Sequence, residues 1–202
     1  CLLAAFETTG AGGSAVSAII GAGIVPAAIE MMDALAIEAA EAAVACHYPE
    51  GAGAVLIVEL DGPEADVRRD ADAVRALCRE AGSTEIREAV DPAERAVIWA
   101  GRKSAFAAVG RICAAYIVQD GVVPRTALGP VLDKIAKLSA ESGIRVANVF
   151  HAGDGNLHPL VLYDDTSPEA TAAAEELSGA ILDLCIAHGG SITGEHGVGV
   201  DK

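Results

Sequence analysis

The segment Arg145-Val-Ala-Asn-Val-Phe-His-Ala-Gly-Asp-Gly-Asn-Leu-His-Pro-Leu-Val-Leu-Tyr163 contains two strand-like runs on either side of a glycine-rich turn. Asp154-Gly155 between such runs is a strong signal for a two-residue hairpin, because a type I′ turn needs positive φ at both central positions. In that register His151 lies directly opposite His158, on the same face, with Cβ atoms about 4.5–5.5 Å apart. The segment therefore predicts an antiparallel hairpin that presents two imidazoles side by side.

Helix-like and strand-like segments alternate along the rest of the chain. Periodicity and turn residues predict strands at 54–60, 84–90 and 116–120, and helices at 27–46, 64–80, 92–113, 124–142 and 167–188. The uncharged stretch 8–29 contains five glycines and Pro26, so it predicts a glycine-rich connection and a buried segment rather than a membrane span. This order predicts an α+β fold, an antiparallel or mixed sheet covered by helices, in one domain spanning residues 1–202.

Composition limits the classes of partner. The chain has 202 residues and a formal net charge of −15, which argues against nucleic acid because phosphates need neutralisation by lysine and arginine. Five cysteines lie far apart without a CxxC pair, which fits reduced thiols in a cytoplasmic protein better than a disulfide framework. We expect no transmembrane segment, although partner subunits could hold such a protein peripherally at a membrane.

Two short glycine-rich segments carry the chemistry. His151 and His158 on one face suit a shared metal ion, since each metal–nitrogen bond is about 2.0–2.1 Å; paired polar residues without a metal are the competing interpretation. In Gly194-Glu-His-Gly197, neighbouring side chains of an extended segment point to opposite sides. The carboxylate of Glu195 would then complete the metal site, while His196 would face a substrate as a base.

Arg102 is the candidate residue for binding an anion. It lies in Trp99-Ala-Gly-Arg-Lys103, where we expect a helix to start, and a guanidinium can hold a carboxylate through two hydrogen bonds. An exposed positive pair, Arg102 with Lys103, is the simpler alternative.

Together these segments resemble a known family. The two histidine motifs are the specific part of the resemblance, and weaker matches extend it over nearly the whole chain: Pro26…Glu30…Met32-Asp33, Leu56…Glu59 and Trp99…Arg102. The chain is similar to the C-terminal domain of FAD-linked oxidases, a family that includes glycolate oxidase catalytic subunits, D-lactate dehydrogenases and D-2-hydroxyglutarate dehydrogenase. The resemblance implies a ferredoxin-like α+β domain.

The resemblance also implies roles for six side chains and a reaction. It gives the metal ligands His151, His158 and Glu195, the base His196, the substrate clamp Arg102, and Asn156 near flavin and substrate. The divalent metal, zinc in preference to iron or manganese, would polarise the hydroxyl of a 2-hydroxy acid, and a hydride would pass from the substrate Cα to FAD. The hydroxyglutarate-type members carry a lysine near the position of Val118, so its absence favours a monocarboxylate such as glycolate or D-lactate.

The family carries FAD mainly on a preceding domain, so the resemblance implies a domain truncated at both ends that works with an FAD-binding domain of the same full-length protein. Electron-transfer subunits are further expected partners. We expect the isolated chain neither to bind FAD tightly nor to turn over substrate. Two other interpretations of the residues are a metal-dependent hydrolase, since two histidines, a carboxylate and a base also suit zinc hydrolysis, and a non-catalytic assembly module.

Overall fold

The computed structural model describes residues 1–199, and the last three residues of the predicted domain lie outside them. The described part forms nine strands and six α-helices. The strands are β1 Leu2–Phe6, β2 Ala28–Asp33, β3 Ala54–Glu59, β4 Glu85–Glu88, β5 Ala115–Val118, β6 Gly121–Val122, β7 Val146–His151, β8 Asn156–Leu157 and β9 Pro159–Tyr163. The helices are α1 Thr9–Gly21, α2 Ala34–Ala43, α3 Glu64–Glu80, α4 Pro92–Val109, α5 Leu128–Ser142 and α6 Pro168–Ala187.

The strands form one nine-stranded sheet in the order β4-β1-β3-β2-β7-β8-β6, with β9 also paired to β7 and β5 paired to β9. Each of these pairings is antiparallel. The predicted α+β class is therefore confirmed. Strand β2 lies between β3 and β7 in the middle of this sheet, and its residues stand beside the predicted hairpin.

Helices cover both faces of the sheet. Alternate side chains of β1 separate accordingly: Leu2, Ala4 and Phe6 pack with the apolar residues of α1, α3, α5 and α6, whereas Leu3 and Ala5 pack with those of α2 and α4. All five residues of β1 are buried, as expected for a strand that is covered on both sides. The result is a three-layer arrangement with one apolar core on each face.

The prediction of a single helix from 27 to 46 is wrong for the first part of this segment. Residues 28–33 form the central strand β2, and the helix begins only at Ala34. The boundary is set by Asp33, whose carboxylate accepts a hydrogen bond from the backbone N–H of Ala36 at 3.0 Å. Pairing with two neighbours overrides the helix preference of this alanine-rich sequence.

The glycine-rich stretch 8–29 is also different from the predicted connection, because most of it forms α1. Its glycines allow a close approach to α5: a Cβ on Gly13 would lie 2.7 Å from the backbone nitrogen of Gly129. No helix in the described part of the chain has both the length and the apolar character that a membrane span needs. Arg102 lies in the middle of α4 rather than at a helix start.

Candidate active site

The hairpin exists, but its predicted register is wrong. His151 pairs with Asn156, and further along Val146 pairs with Val161. A turn of 3₁₀-helix over Ala152–Asp154 replaces the two-residue turn, and it ends at Gly155 with φ +72°. His158 stands two positions beyond Asn156, so it keeps the same face, and the His151 and His158 ring centroids are 5.6 Å apart.

His151 is oriented by a buried carboxylate. Its Nδ1 lies 2.8 Å from Oε1 of Glu30, the residue opposite it on β2. Because a carboxylate only accepts, Nδ1 donates in this contact, and in the neutral imidazole the lone pair is therefore on Nε2. Oε2 of Glu30 accepts from Nε of Arg102 at 2.9 Å and forms an ion pair with its Nη2, also at 2.9 Å. The fixed Nε2 of His151 then lies 3.7 Å from Oε1 of Glu195.

His158 is 3% exposed and faces two carboxylates. Its Nε2 lies 3.4 Å from Oδ1 of Asp120 and 3.9 Å from Oε1 of Glu195. Neither this nitrogen nor Oδ1 of Asp120 has a hydrogen-bond partner among the described residues, although both are buried. Burial, and next the charge of the neighbouring His196, lower the pKa of His158, so its imidazole is neutral and available as a ligand at pH 7.

The segment that carries Glu195 and His196 wraps around Asp120. Oδ2 of this carboxylate accepts four hydrogen bonds, from the hydroxyl of Thr193 and from the backbone N–H groups of Gly194, Glu195 and His196, at 2.8–2.9 Å. Burial alone would raise the pKa of Asp120, but these donors outweigh it and hold the pKa far below its usual range. Asp120 is therefore ionised throughout the physiological range.

Both side chains of the wrapped segment turn toward His158. The ring of His196 stacks on that of His158, with centroids 4.9 Å apart and planes 7° apart, while Glu195 accepts a hydrogen bond from Nδ2 of Asn156 at 2.8 Å. The expectation that Glu195 and His196 point to opposite sides is not met, because three successive N–H groups converge on one oxygen and the backbone is not extended. Ligand atoms of Asp120, His158 and His196 lie within 4.8 Å of one another.

The residues present fit a divalent cation. Three carboxylates lie within 4 Å of the His151 or His158 ring nitrogens, those of Glu30, Asp120 and Glu195, and only Glu30 is paired with a guanidinium, that of Arg102. With neutral imidazoles this leaves two negative charges uncompensated. The donor set is nitrogen and oxygen, which suits zinc, iron or manganese.

A cavity of about 260 Å³ adjoins His151 and Glu30, and its other walls include Arg125, Gly153 and Asp154. Nε of Arg125 donates to the carbonyl of Gly153, and Arg125 forms no ion pair with any described residue. A larger open depression of about 690 Å³ beside Tyr48 contains none of the predicted site residues. Three polar residues of this region, Glu30, Asp120 and Arg125, have no predicted role from the sequence, because each is distant in the chain from both histidine motifs.

Comparison with known proteins defines the class. Residues 1–202 match the family described as FAD linked oxidases, C-terminal domain, and the chain belongs to this family. The predicted resemblance is therefore confirmed.

Two relatives and one solved structure give the similarity more detail. The chain is 53% identical to "Glycolate oxidase subunit GlcD" of Escherichia coli (strain K12) over 201 residues, which is 100% of this chain and 40% of that protein. It is 28% identical to the mitochondrial D-lactate dehydrogenase (cytochrome) of Arabidopsis thaliana over 182 residues, 89% of this chain and 32% of that protein. The structure of p-cresol methylhydroxylase with substrate bound superposes with a TM-score of 0.67 at 14% identity, over 95% of this chain and 44% of that one, which shows the fold alone.

Proposed function

We propose that this chain is the substrate- and metal-holding part of an FAD-dependent oxidoreductase that oxidises a 2-hydroxy acid, of the glycolate or D-lactate type. The observation that carries the proposal is the position of Glu195 between two imidazoles: its Oε1 lies 3.7 Å from Nε2 of His151 and 3.9 Å from Nε2 of His158. The names of the relatives, glycolate oxidase and D-lactate dehydrogenase, support the substrate class.

His151, His158 and Glu195 would hold the metal. The arrangement of His151 supports this, since ligand histidines usually donate their second ring N–H to a carboxylate, as Nδ1 does to Glu30. Two histidines and a glutamate are also a common protein ligand set for catalytic zinc, and this favours zinc over iron or manganese. When bound, the metal supplies a Lewis acid for the substrate hydroxyl.

His196 is proposed as the base that takes the hydroxyl proton. Its side chain is exposed, and its ring is held parallel to the buried ring of His158, so it can face a substrate bound over the metal ligands. Asn156 holds Glu195 by a hydrogen bond and would lie beside the substrate. These two assignments rest on the family motif together with these contacts.

Arg102 is proposed to bind the substrate carboxylate. Its Nε and Nη2 are already engaged by Glu30, so a substrate would share the guanidinium through Nη1, for which the described residues supply no acceptor. Val118 on β5 stands near the place where dicarboxylate-specific members carry a lysine, which supports a monocarboxylate substrate.

When bound to the full-length protein, FAD would supply an acceptor for a hydride from the substrate Cα. We propose that an FAD-binding domain of the same protein supplies it, since the chain spans only 40% of the E. coli relative. We also propose electron-transfer partners, because that relative is named as a subunit.

Flavin reduction in the full-length protein tests the proposal. Under anaerobic conditions, addition of glycolate or D-lactate should bleach the flavin absorbance, and a His151→Ala variant should lose this response together with its bound metal. A protein that contains metal but no flavin, and cleaves an ester or amide, would instead support a metal-dependent hydrolase. Absence of bound metal in both proteins, with no flavin response, would support a non-catalytic assembly module.

A further inference from the structure

We propose that Asp120 assembles the site through both of its carboxylate oxygens. Oδ2 anchors the segment that carries Glu195 and His196, and Oδ1 is a ligand of the cation bound at His158. The first half of this proposal stands on hydrogen bonds alone, whereas the second half rests on the proposed function. Asp120 lies between β5 and β6, immediately before Gly121, and is fully buried, at 0% exposure.

The anchoring role follows from what else holds the segment. Residues 194–197 are exposed, so they gain little from apolar burial. The segment is attached to the sheet by the bridge between Val122 and Ser191. Beyond that point it has the hydrogen bond from Asn156 to Glu195, the stacking of His196 on His158, and four hydrogen bonds to one oxygen of Asp120. Hydrogen bonds to a charged acceptor contribute more than neutral ones, so this carboxylate dominates the conformation of the segment.

The metal-facing role follows from the other oxygen. Oδ1 of Asp120 is buried, has no hydrogen-bond partner, and lies 3.4 Å from Nε2 of His158, which is also unpartnered. Two donors bound tetrahedrally at about 2.0–2.1 Å from one zinc ion are about 3.3–3.4 Å apart. The observed separation therefore matches that of two ligands on one ion, and two unpartnered buried polar atoms facing each other would otherwise be costly.

Two substitutions in the full-length protein separate these roles. In Asp120→Asn the amide oxygen can still accept from the four donors, which turns the amide NH₂ toward His158, where it donates to Nε2 and occupies the lone pair. In Asp120→Ala both functions are lost. Asp183→Asn, an exposed carboxylate on α6, is the matched control.

Hydrogen exchange of the peptide containing residues 194–197, followed by mass spectrometry on metal-free protein, measures the anchoring. We expect slow exchange in the wild type and the control, at least tenfold faster exchange in Asp120→Ala, and an intermediate rate in Asp120→Asn. Equal rates in wild type and Asp120→Ala, with an unchanged melting temperature showing that the variant folds, would overturn the anchoring role. This readout needs neither flavin nor substrate.

Zinc titration with a competing chelator measures the second role. We expect at least a tenfold loss of affinity in Asp120→Asn, in line with the 10–100-fold effects of residues that support metal ligands. A zinc affinity of Asp120→Asn equal to that of the wild type would overturn the role of Oδ1 as a metal ligand. If instead the wild type itself bound no zinc, iron or manganese, the proposed metal site would fail together with the role of Oδ1, while the exchange result would still decide the anchoring.

Discussion

Replacement of Glu30 by glutamine tests the hydrogen-bond network behind the site with a nearly isosteric change. Glu30 joins two buried contacts, the Nδ1 of His151 and the guanidinium of Arg102. In Glu30→Gln the amide oxygen should stay with Arg102, so the amide NH₂ meets Nδ1 of His151. The amide N–H can form a hydrogen bond with Nδ1 only if Nδ1 is the acceptor. The imidazole proton then moves to Nε2, which removes the lone pair that faces Glu195.

The expected magnitudes follow from this change of tautomer and from the lost charge. Disturbing a group that orients a metal-ligating histidine costs 10–100-fold in metal affinity, or about 1.4–2.7 kcal/mol. Stability should also fall, since the side chains of Arg102 and Glu30 are only 10% and 8% exposed. Removing one partner of a buried pair costs about 3–5 kcal/mol, and the retained hydrogen bond recovers about 1 kcal/mol, leaving a loss of about 2–4 kcal/mol.

The chain offers a matched control on the same sheet and helix. Glu59 on β3 accepts from Nε of Arg95 and from the indole N–H of Trp99, both at 2.9 Å and both from α4, but it contacts no imidazole. The Arg95 side chain is 52% exposed, so Glu59→Gln should cost about 1 kcal/mol or less and leave zinc affinity unchanged.

Zinc competition and urea unfolding of the full-length wild type and both variants provide the measurements. Zinc binding by Glu30→Gln as tight as that of the wild type would refute the orienting role of Glu30, since the change of tautomer would then have no consequence. Equal weakening of zinc binding in Glu59→Gln and Glu30→Gln would also refute it, because a general loosening of the sheet would then explain both.

Three further predictions concern other parts of the site and fold. His196→Gln should lower kcat for the 2-hydroxy acid by about 10²–10⁴-fold with unchanged metal content by elemental analysis, and an equal loss of metal would instead make His196 a ligand. Gly155→Ala should destabilise the protein by about 2–4 kcal/mol in urea unfolding, because φ is +72° and the new Cβ would lie 2.2 Å from the carbonyl oxygen of Val123; a change below 1 kcal/mol would contradict this. Burial raises the pKa of Asp33 from 3.8 to about 6, so between these values the folded state holds a proton that the unfolded state has released, and stability falls as pH rises through this window by up to about 3 kcal/mol. The stability difference between wild type and Asp33→Asn, measured at pH 4, 5, 6 and 7, should show this fall and level off above the folded-state pKa; a flat difference would contradict it.

The prediction that His151 and His158 share one face of the hairpin is correct, although the predicted register is wrong. The error amounts to two residues, since His151 pairs with Asn156 instead of His158. Side chains on a strand alternate with a period of two, so an even shift leaves every residue on its original face. The Asp154-Gly155 signal located the turn, but the 3₁₀ turn over Ala152–Asp154 depends on contacts with distant segments such as Val123, which no local pattern shows.

The two carboxylates behind the site were missed for a similar reason. Glu30 lies in an alanine-rich stretch that favours a helix, and only pairing with β3 and β7 makes it a strand residue facing His151. Asp120 is a single acidic residue after a short strand, a position that is usually a solvated turn. Burial distinguishes it, and burial depends on the packing of segments more than 70 residues apart in the chain.

This difference between ligands and their supports has a physical cause. The proposed metal ligands come from two short glycine-rich segments, whose motifs are visible in the sequence. The charges that fix those donors must be shielded from water to be effective, so they come from buried positions, Glu30 from the central strand of the sheet and Asp120 from the residue just before the edge strand β6. If both carboxylates act as proposed, the donor geometry is fixed by buried groups before any cation binds. The site should then lose metal affinity through substitutions at Glu30 and Asp120 that touch neither histidine motif.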